Sequence, residues 1–404
     1  MVQAEPPGGG PALLTPDGVT VHLVGRLTPA VLSFLLPAID ASFAAGRRQA
    51  LLFINNGVSQ VQLAAVPTAV HRVDVRDSES LLVRCDALFK ALLQFSLQHP
   101  INVLHVHGLL PALAGARLLR TRGDRGVDVL FSPHSSRVLG WTLAKHAVFG
   151  PLRRLSGGNS AVRVIANVQR EARLLAPYNG LAVQVIDCPV ARVFFDTARK
   201  EAARPLVVSC NLECHHAALD GFQRVAVLLN DDRLGIDFNW IGNTEADGVE
   251  ALRAAGVACF EASTSSSRAD RFSTAWVYVA TYEERGFPIH LVEAMAAGIP
   301  CVALDTEIHR SMIVPGETGY LYRTAREMLE RIGQLVDSQP LRHRVGQAAR
   351  RMAELRFSEA EFQRRFWHAV SPNAKPTTPE PGMETSCASE PCSVNSPTDT
   401  QTCS

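Results

Sequence analysis

The stretch from Ala275 to Leu304 confines this chain to a parallel α/β architecture. Its first part, Ala275-Trp276-Val277-Tyr278-Val279-Ala280-Thr281, is an apolar run short enough for a buried strand. Leu291, Met295 and Ile299 then recur at helical spacing, Pro288 suits the first turn, and Gly298 with Pro300 ends the helix. Cys301-Val302-Ala303-Leu304 is a second short apolar run. Strand, glycine turn, helix, strand is a parallel crossover unit. The loop after its first strand lies at the carboxyl edge of the sheet, where open α/β sheets bind ligands. Free N–H groups at the helix start favour an anion such as a phosphate. Glu293 follows within reach of the vicinal hydroxyls of a ribose beside that phosphate. A solvated surface role for it is disfavoured by its neighbours Leu291, Val292, Ala294 and Met295.

Alternation of the same kind extends along the chain. Strands are predicted at Val19 to Val24, Ala50 to Ile54, His71 to Val75, Val103 to Gly108, Val127 to His134, Val162 to Asn167 and Val183 to Pro189. Between them fall helical patterns, one carrying Val31, Leu35, Ile39 and Phe43, another from Ser80 to Leu97 with Leu82, Leu88, Leu92 and Phe95 on its apolar side. A polar linker, Pro189 to Arg204, precedes a second set of strands at Pro205 to Cys210, Asp237 to Gly242 and Val257 to Phe260. Ser263 to Arg268 is read as a polar loop near a base pocket. Helices follow at Ala325 to Val336 and Leu341 to Leu355, then a last helix with Phe362, Phe366 and Val370, capped by Ser358 with Glu361. Strands and helices alternating in this way predict sheets covered on both faces.

The segment from Gly286 to Pro300 resembles the signature of the GT-B glycosyltransferases of the retaining family 4 group, glycosyl transferases group 1. There a glutamate, a Gly-Phe pair and a second glutamate in Glu-Ala-Met-Ala-x-Gly-x-Pro bind a nucleotide-diphosphate sugar. Met312 to Leu321, a turn with Gly316 and Gly319, looks like that family's next block. The resemblance implies two Rossmann-like doubly wound domains facing across a cleft. Residues 19–190 would form the N-terminal, acceptor-side domain and 191–356 the nucleotide-sugar domain. A terminal helix, 357–370, would cross back to the first domain. Donor contacts are implied at Arg285, Gly286, Phe287, Pro288, Ile289 and Glu293. In the first domain, His105-Val106-His107-Gly108 and Ser132-Pro133-His134-Ser135 are similar to the family's two histidine-ended strands. That similarity assigns His134, with Glu284, to catalysis near the donor sugar, and His107 to the acceptor side, where a packing role is the alternative. The implied reaction retains anomeric configuration, with the leaving phosphate oxygen helping to take the acceptor proton. It requires no cofactor and no essential metal, and no Asp-x-Asp metal motif is apparent.

Three departures stand out. The family's first glutamate directly precedes Gly-Phe, where this chain has Arg285 after Glu283 and Glu284. Its first strand ends in Gly-Gly, where this chain has Gly25-Arg26. Its diphosphate-binding arginine and lysine correspond to Asn211 and Asp220, neither of them cationic. A leaving diphosphate without cations loses an electrostatic contribution of about 3 kcal/mol per group. Arg285, His215, His216 and Arg224 are the candidate substitutes. A catalytically degenerate protein that binds nucleotide sugar or a partner without transfer is therefore the alternative, and a nucleotide-sugar epimerase of the same fold a remoter one.

Composition narrows the partners. The 404 residues carry a formal net charge of +1, which argues against nucleic acid as a main partner. Met1 to Pro11 lacks the pattern of a secretion signal, and no apolar run is long enough to span a membrane, so the expected location is cytoplasmic. Leu139, Trp141 and Phe149, interspersed with Arg137, Lys145, Arg153 and Arg154, suit peripheral docking to an anionic inner-membrane leaflet bearing a lipid-linked acceptor. An ordinary amphipathic helix is the alternative. A glycan acceptor and a role in polysaccharide biosynthesis fit equally. Nine cysteines would stay reduced, and Cys210-x-x-x-Cys214-His215-His216 lacks a second ligand pair at zinc spacing. Residues 1–18 are read as flexible, and 371–404, rich in Pro, Ser, Thr and Glu, as a disordered tail.

Overall fold

The computed structural model describes residues 18–44, 46–55, 63–122, 127–134, 162–175, 182–212, 216–231, 235–242, 245–262, 264–284 and 286–370. The docking stretch 135–154, the tail 371–404, Arg285, Cys214 and His215 lie outside the described residues.

Two parallel sheets build the molecule. The first contains β1 (Val19–Val24), β2 (Arg48–Asn55), β3 (His71–Arg76), β4 (Ile101–His107), β5 (Asp128–Ser132), β6 (Val162–Ala166) and β7 (Ala182–Val185). Its order is β3-β2-β1-β4-β5-β6-β7. Helices α1 (Pro29–Ala44), α2 (Leu81–Gln98), α3 (Leu109–Arg122) and α4 (Gln169–Leu175) are its connections, and the short α5 (Val193–Asp196) follows the sheet.

The second sheet contains β8 (Leu206–Cys210), β9 (Asp237–Ile241), β10 (Val257–Phe260), β11 (Val277–Ala280), β12 (Cys301–Leu304) and β13 (Gly319–Tyr322), in the order β10-β9-β8-β11-β12-β13. Its helices are α6 (His216–Asp231), α7 (Ala246–Ala254), α8 (Ser265–Ser273), α9 (Ile289–Ala296), α10 (Glu307–Arg310) and α11 (Ala325–Asp337), followed by α12 (Gln339–Phe357) and α13 (Glu359–Val370). Strand order reverses between β1 and β4 and again between β8 and β11. Each sheet therefore has one switch point, the crevice where doubly wound folds receive ligands.

Burial on both faces explains why the strands read as continuous apolar runs. All six residues of β1 are buried. Val21 and Leu23 enter the core beneath α2 and α3, while Val24 faces α1. The terminal helix α13 returns to the first domain, where Phe362 and Phe366 pack with Phe34 of α1, Val103 and Ile165. Ser358 caps α13 by accepting from the Glu361 amide. In the second domain Gly298 closes α9 with φ +73, and a Cβ at Gly346 would stand 2.2 Å from its carbonyl oxygen. Only a residue without a side chain lets α12 cross the end of α9 that closely.

Two expectations need correction. Leu82 is 83% exposed and does not belong to the apolar side of α2. Leu81 and Val83 are exposed with it, so the whole first turn of α2 stands outside the packed core. The polar run Ser263 to Arg268 is mostly helix, not loop. Thr264 accepts a hydrogen bond from the Ser267 amide, and Arg268, Ala269, Phe272 and Ser273 form the buried face of α8.

Candidate functional site

Residues after β5, β6, β11 and β12 converge, so the carboxyl edges of the two sheets face one another. Arg170 at the start of α4 pairs with Glu283 at 2.6 Å, and Arg173 pairs with Glu307 of α10. Phe287 and Ile289 pack both into the second domain and against the cluster around Phe34 and Phe362. Phe287 meets the Phe357 ring edge-on at 5.8 Å. A Cβ on Gly286 would lie 3.2 Å from the His134 carbonyl oxygen. His134 and the Gly286 loop thus come together from opposite domains.

His134 follows β5 with φ +53, the one non-glycine residue with positive φ among the described residues. That conformation strains an L-residue by about 1–2 kcal/mol and aims the ring back over the sheet. The His134 ring lies parallel to His107, centroids 5.2 Å apart, and Phe34 meets it edge-on at 5.5 Å. Nε2 of His134 is 2.9 Å from Nδ1 of His107. Burial lowers the pKa of His134, opposed by a hydrogen bond to Asn167, so the ring is neutral at pH 7. His107 is buried and held neutral by the same desolvation.

Glu284 follows β11 and reaches His309 of α10, Oε2 to Nε2 at 2.6 Å. His309 Nδ1 donates to the Leu304 carbonyl at 2.6 Å. With that nitrogen donating to the carbonyl, the proton shared with Glu284 lies along the Nε2–Oε2 contact. Burial alone would lower the His309 pKa, but the Glu284 charge and hydrogen bond outweigh it and raise it.

Glu293 is 3% exposed, and both of its oxygens accept from side chains. Arg268 donates from Nε to Oε2 at 3.0 Å and from Nη2 to Oε1 at 2.6 Å. His290 Nδ1 lies 3.0 Å from Oε2. Desolvation would raise the Glu293 pKa, yet Arg268 and His290 bring it down to about 2. The sequence reading left this carboxylate open to a ribose. The structure gives both oxygens protein partners, so a ribose hydroxyl would have to take the remaining lone pair of Oε1 or the place of His290. Desolvation likewise works against His290, whose pKa is nonetheless raised to about 10 by Cys210 and Glu293.

The positions where the resemblance calls for cations hold none. Asn211 Nδ2 donates to the Tyr282 hydroxyl, and Asp220 is exposed on α6. His216 and Arg224 are exposed on the same helix. Sequence reasoning missed Arg268, His290 and His309. The i,i+3 spacing of His290 and Glu293 was a usable signal; nothing local pointed to Arg268 or His309 as carboxylate partners. Among the described residues, His22, His105 and His107 are the group whose nitrogens approach within 4.8 Å of one another, close enough to consider a metal.

Comparison with known proteins agrees with this geometry. Residues 235–352, which contain Arg268, Glu284 and Glu293, match the family model described as Glycosyl transferases group 1. The putative glycosyltransferase EpsD of Bacillus subtilis (strain 168) is 35% identical over 113 residues, 28% of this chain and 29% of that protein. The chain therefore aligns with under a third of this curated relative. Solved structures match along nearly the whole fold. Sucrose-phosphate synthase from Thermosynechococcus elongatus superposes with a TM-score of 0.67 at 15% identity, covering 86% of this chain and 97% of that one. HepE of Anabaena in complex with UDP and glucose gives 0.67 at 14%, covering 88% and 99%. TarM gives 0.69 at 10%, covering 88% and 99%. The fold is GT-B, two Rossmann-like domains with parallel sheets. The match to the group 1 glycosyl transferase model falls within its second domain.

Proposed function

We propose that this protein is a glycosyltransferase that moves a sugar from a nucleoside-diphosphate sugar to a glycan or lipid-linked acceptor with retention of configuration. The observation that carries this is the meeting of the Gly286–Ile289 loop with His134, at the second sheet's switch point and inside the group 1 segment. UDP is the favoured nucleotide, because HepE is solved with UDP-glucose and TarM with UDP.

The donor diphosphate lies at the N-terminus of α9, where the helix-start amides favour an anion, although the Ile289 N–H already donates to the Phe287 carbonyl at 2.9 Å. The ribose exchanges with His290 for a share of Glu293, already ionised and oriented by Arg268. Glu284, held by His309, faces the sugar, and His134 lines its other side. Neutral imidazole there can accept or donate a hydrogen bond as the acceptor hydroxyl approaches. The leaving phosphate oxygen takes the acceptor proton, with no metal on the diphosphate. Closure of the two domains keeps water from the donor. Arg285, directly before Gly286, supplies the cation that Asn211 and Asp220 do not.

Asn211 and Asp220 favour a second function, nucleotide-sugar binding without transfer. Incubation with UDP-, GDP- and ADP-sugars plus polyprenyl-phosphate or glycan acceptors separates the two. Release of free nucleotide that depends on acceptor supports transfer. Binding with no turnover for every pair supports the second function, and no binding at all rejects both. An epimerised donor would identify the remaining alternative. Among the described residues no helix is long and apolar enough to cross a membrane. Peripheral contact with an inner leaflet at the cytoplasmic face would bring a lipid-linked acceptor to the cleft.

A further inference from the structure

Gln49 of β2, His22 of β1, His107 of β4 and His134 after β5 stand on four adjacent strands of the first sheet, in that spatial order. Register places each of them two residues nearer the carboxyl edge than the one before. Gln49 pairs with Thr20, two before His22; His107 pairs with Val24, two after His22; and Ser132, two before His134, pairs with His107. Side chains two apart share a face of a strand, so the four form one diagonal row.

Their polar atoms join end to end. Gln49 Oε1 lies 2.9 Å from His22 Nε2, His22 Nδ1 lies 3.2 Å from His107 Nε2, and His107 Nδ1 lies 2.9 Å from His134 Nε2. Gln49, His22 and His107 are buried, and half-buried His134 is the member that reaches the cleft. Desolvation keeps the three rings neutral, with one proton each.

The buried end fixes the direction of the row. Gln49 Nε2 donates to the Arg47 carbonyl at 3.2 Å, and turning the amide over would set its oxygen against that carbonyl. Gln49 Oε1 therefore faces His22 and only accepts, so His22 carries its proton on Nε2 and offers Nδ1 as an acceptor. His107 donates to it from Nε2–H, which leaves His107 Nδ1 to accept from His134 Nε2–H. Every contact then holds one proton, and His134 Nδ1 keeps a lone pair. Asn167 agrees with this count. Its amide nitrogen donates to the Ile186 carbonyl at 3.1 Å, and its buried Oδ1 has no donor. The hydrogen bond by which Asn167 favours the charged His134 ring needs a second proton, on Nδ1.

We propose that Gln49, acting through His22 and His107, is a positioning residue that sets the tautomer of His134, so that the neutral ring meets substrate as a hydrogen-bond acceptor through Nδ1. This role presupposes the transfer reaction proposed above; the tautomer does not. A free imidazole divides between two tautomers, and the bond made by one ring nitrogen decides the state of the other. Reversing the row would move all three protons together and cost the Gln49 bond to Arg47. A substrate hydroxyl at Nδ1 is thus held by its proton.

The test is nitrogen NMR of the full chain, carrying nitrogen-labelled histidine and no histidine tag. Long-range proton–nitrogen correlations separate an N–H from a bare ring nitrogen, and coupling across a hydrogen bond shows which rings share a proton. Signals lost in His134→Asn assign that ring, and the couplings lead from it to His107 and His22. Wild type is expected to carry the proton on Nε2 in all three. Gln49→Leu should move the His134 proton to Nδ1, since Asn167 Oδ1 then becomes the remaining acceptor end, whereas Asn167→Ala should leave it on Nε2. Turnover of Gln49→Leu should fall about tenfold with UDP affinity unchanged. A His134 Nδ1–H in wild type overturns the proposal. So does a folded Gln49→Leu with the proton still on Nε2 or with full turnover, or a proton moved by Asn167→Ala. If Gln49→Leu does not fold, the wild-type tautomers and couplings decide. Failure of transfer in every assay would reject the reaction and leave the spectra to decide the tautomer.

Discussion

A side chain at Gly286 would stand 3.2 Å from the carbonyl oxygen of His134, so the two domains meet almost backbone to backbone at the centre of the cleft. Gly286→Val should force the loop and His134 apart by a few tenths of an ångström. We expect turnover to fall about 100-fold, the penalty of a small misplacement of reacting groups. Nucleotide affinity should change by less than about threefold, since the α9 N-terminus is untouched. Steady-state kinetics with calorimetry separates the two, and unaltered turnover would remove Gly286 from the site.

His134 belongs to the first domain and the proposed nucleotide site to the second. His134→Ala should therefore lower kcat by roughly 100-fold or more while leaving the UDP Kd unchanged. His134→Asn should match it in stability more closely, because asparagine tolerates the positive φ of 53° found here. Equal loss of affinity and turnover would count against the placement.

The buried Arg268–Glu293 pair makes a stability prediction independent of any substrate. Arg268→Met leaves a carboxylate facing only His290, and should destabilise by about 3–5 kcal/mol. The double variant Arg268→Met, Glu293→Met should recover most of that. Denaturant unfolding of the full cycle checks this, and simple additivity would show that the pair is not coupled. Glu293→Gln should separately weaken UDP binding by about tenfold.

His290 links stability to pH. Its folded pKa, about 10, lies above the unfolded value near 6.5. The stabilisation it provides is full below about pH 6.5 and is lost as pH rises through about 10. Wild-type Tm should fall over that window more steeply than the Tm of His290→Gln. Glu293 acts on the opposite limb, because its folded pKa is depressed to about 2. Its contribution is present above about pH 4.5 and disappears as pH falls toward 2. Parallel Tm curves for wild type and His290→Gln would contradict the first assignment.

Glu284 is oriented by His309 rather than by its own strand. His309→Ala should reduce turnover roughly 10- to 100-fold with little change in UDP affinity, and His309→Gln, which keeps a donor for the carboxylate, should restore part of it. No difference between Ala and Gln would make His309 a packing residue only.

Much of the scaffold was legible because it is locally encoded. The apolar run at Val277–Ala280, the turn through Pro288 and the stop at Gly298 each follow from the preferences of a few consecutive residues, and together they imply a parallel crossover. Arg268 was not legible, since its helix is short and polar and only its buried face marks it. Leu82 was misplaced because periodicity reports which face of a helix is apolar, not which of its turns are covered.

The sequence by itself determined the alternating strands and helices of two parallel sheets, because hydrophobic periodicity and glycine turns act over a few residues, and its resemblance to the group 1 glycosyltransferases implied the GT-B plan. Only the tertiary structure decided the partners of the charged and titrating groups. Glu293 is held by an arginine 25 residues away in the chain, Glu284 by a histidine equally distant, and His22 faces His107 across 85 residues. Electrostatic partners are chosen by distance in space and by shared burial, and neither is written in local order.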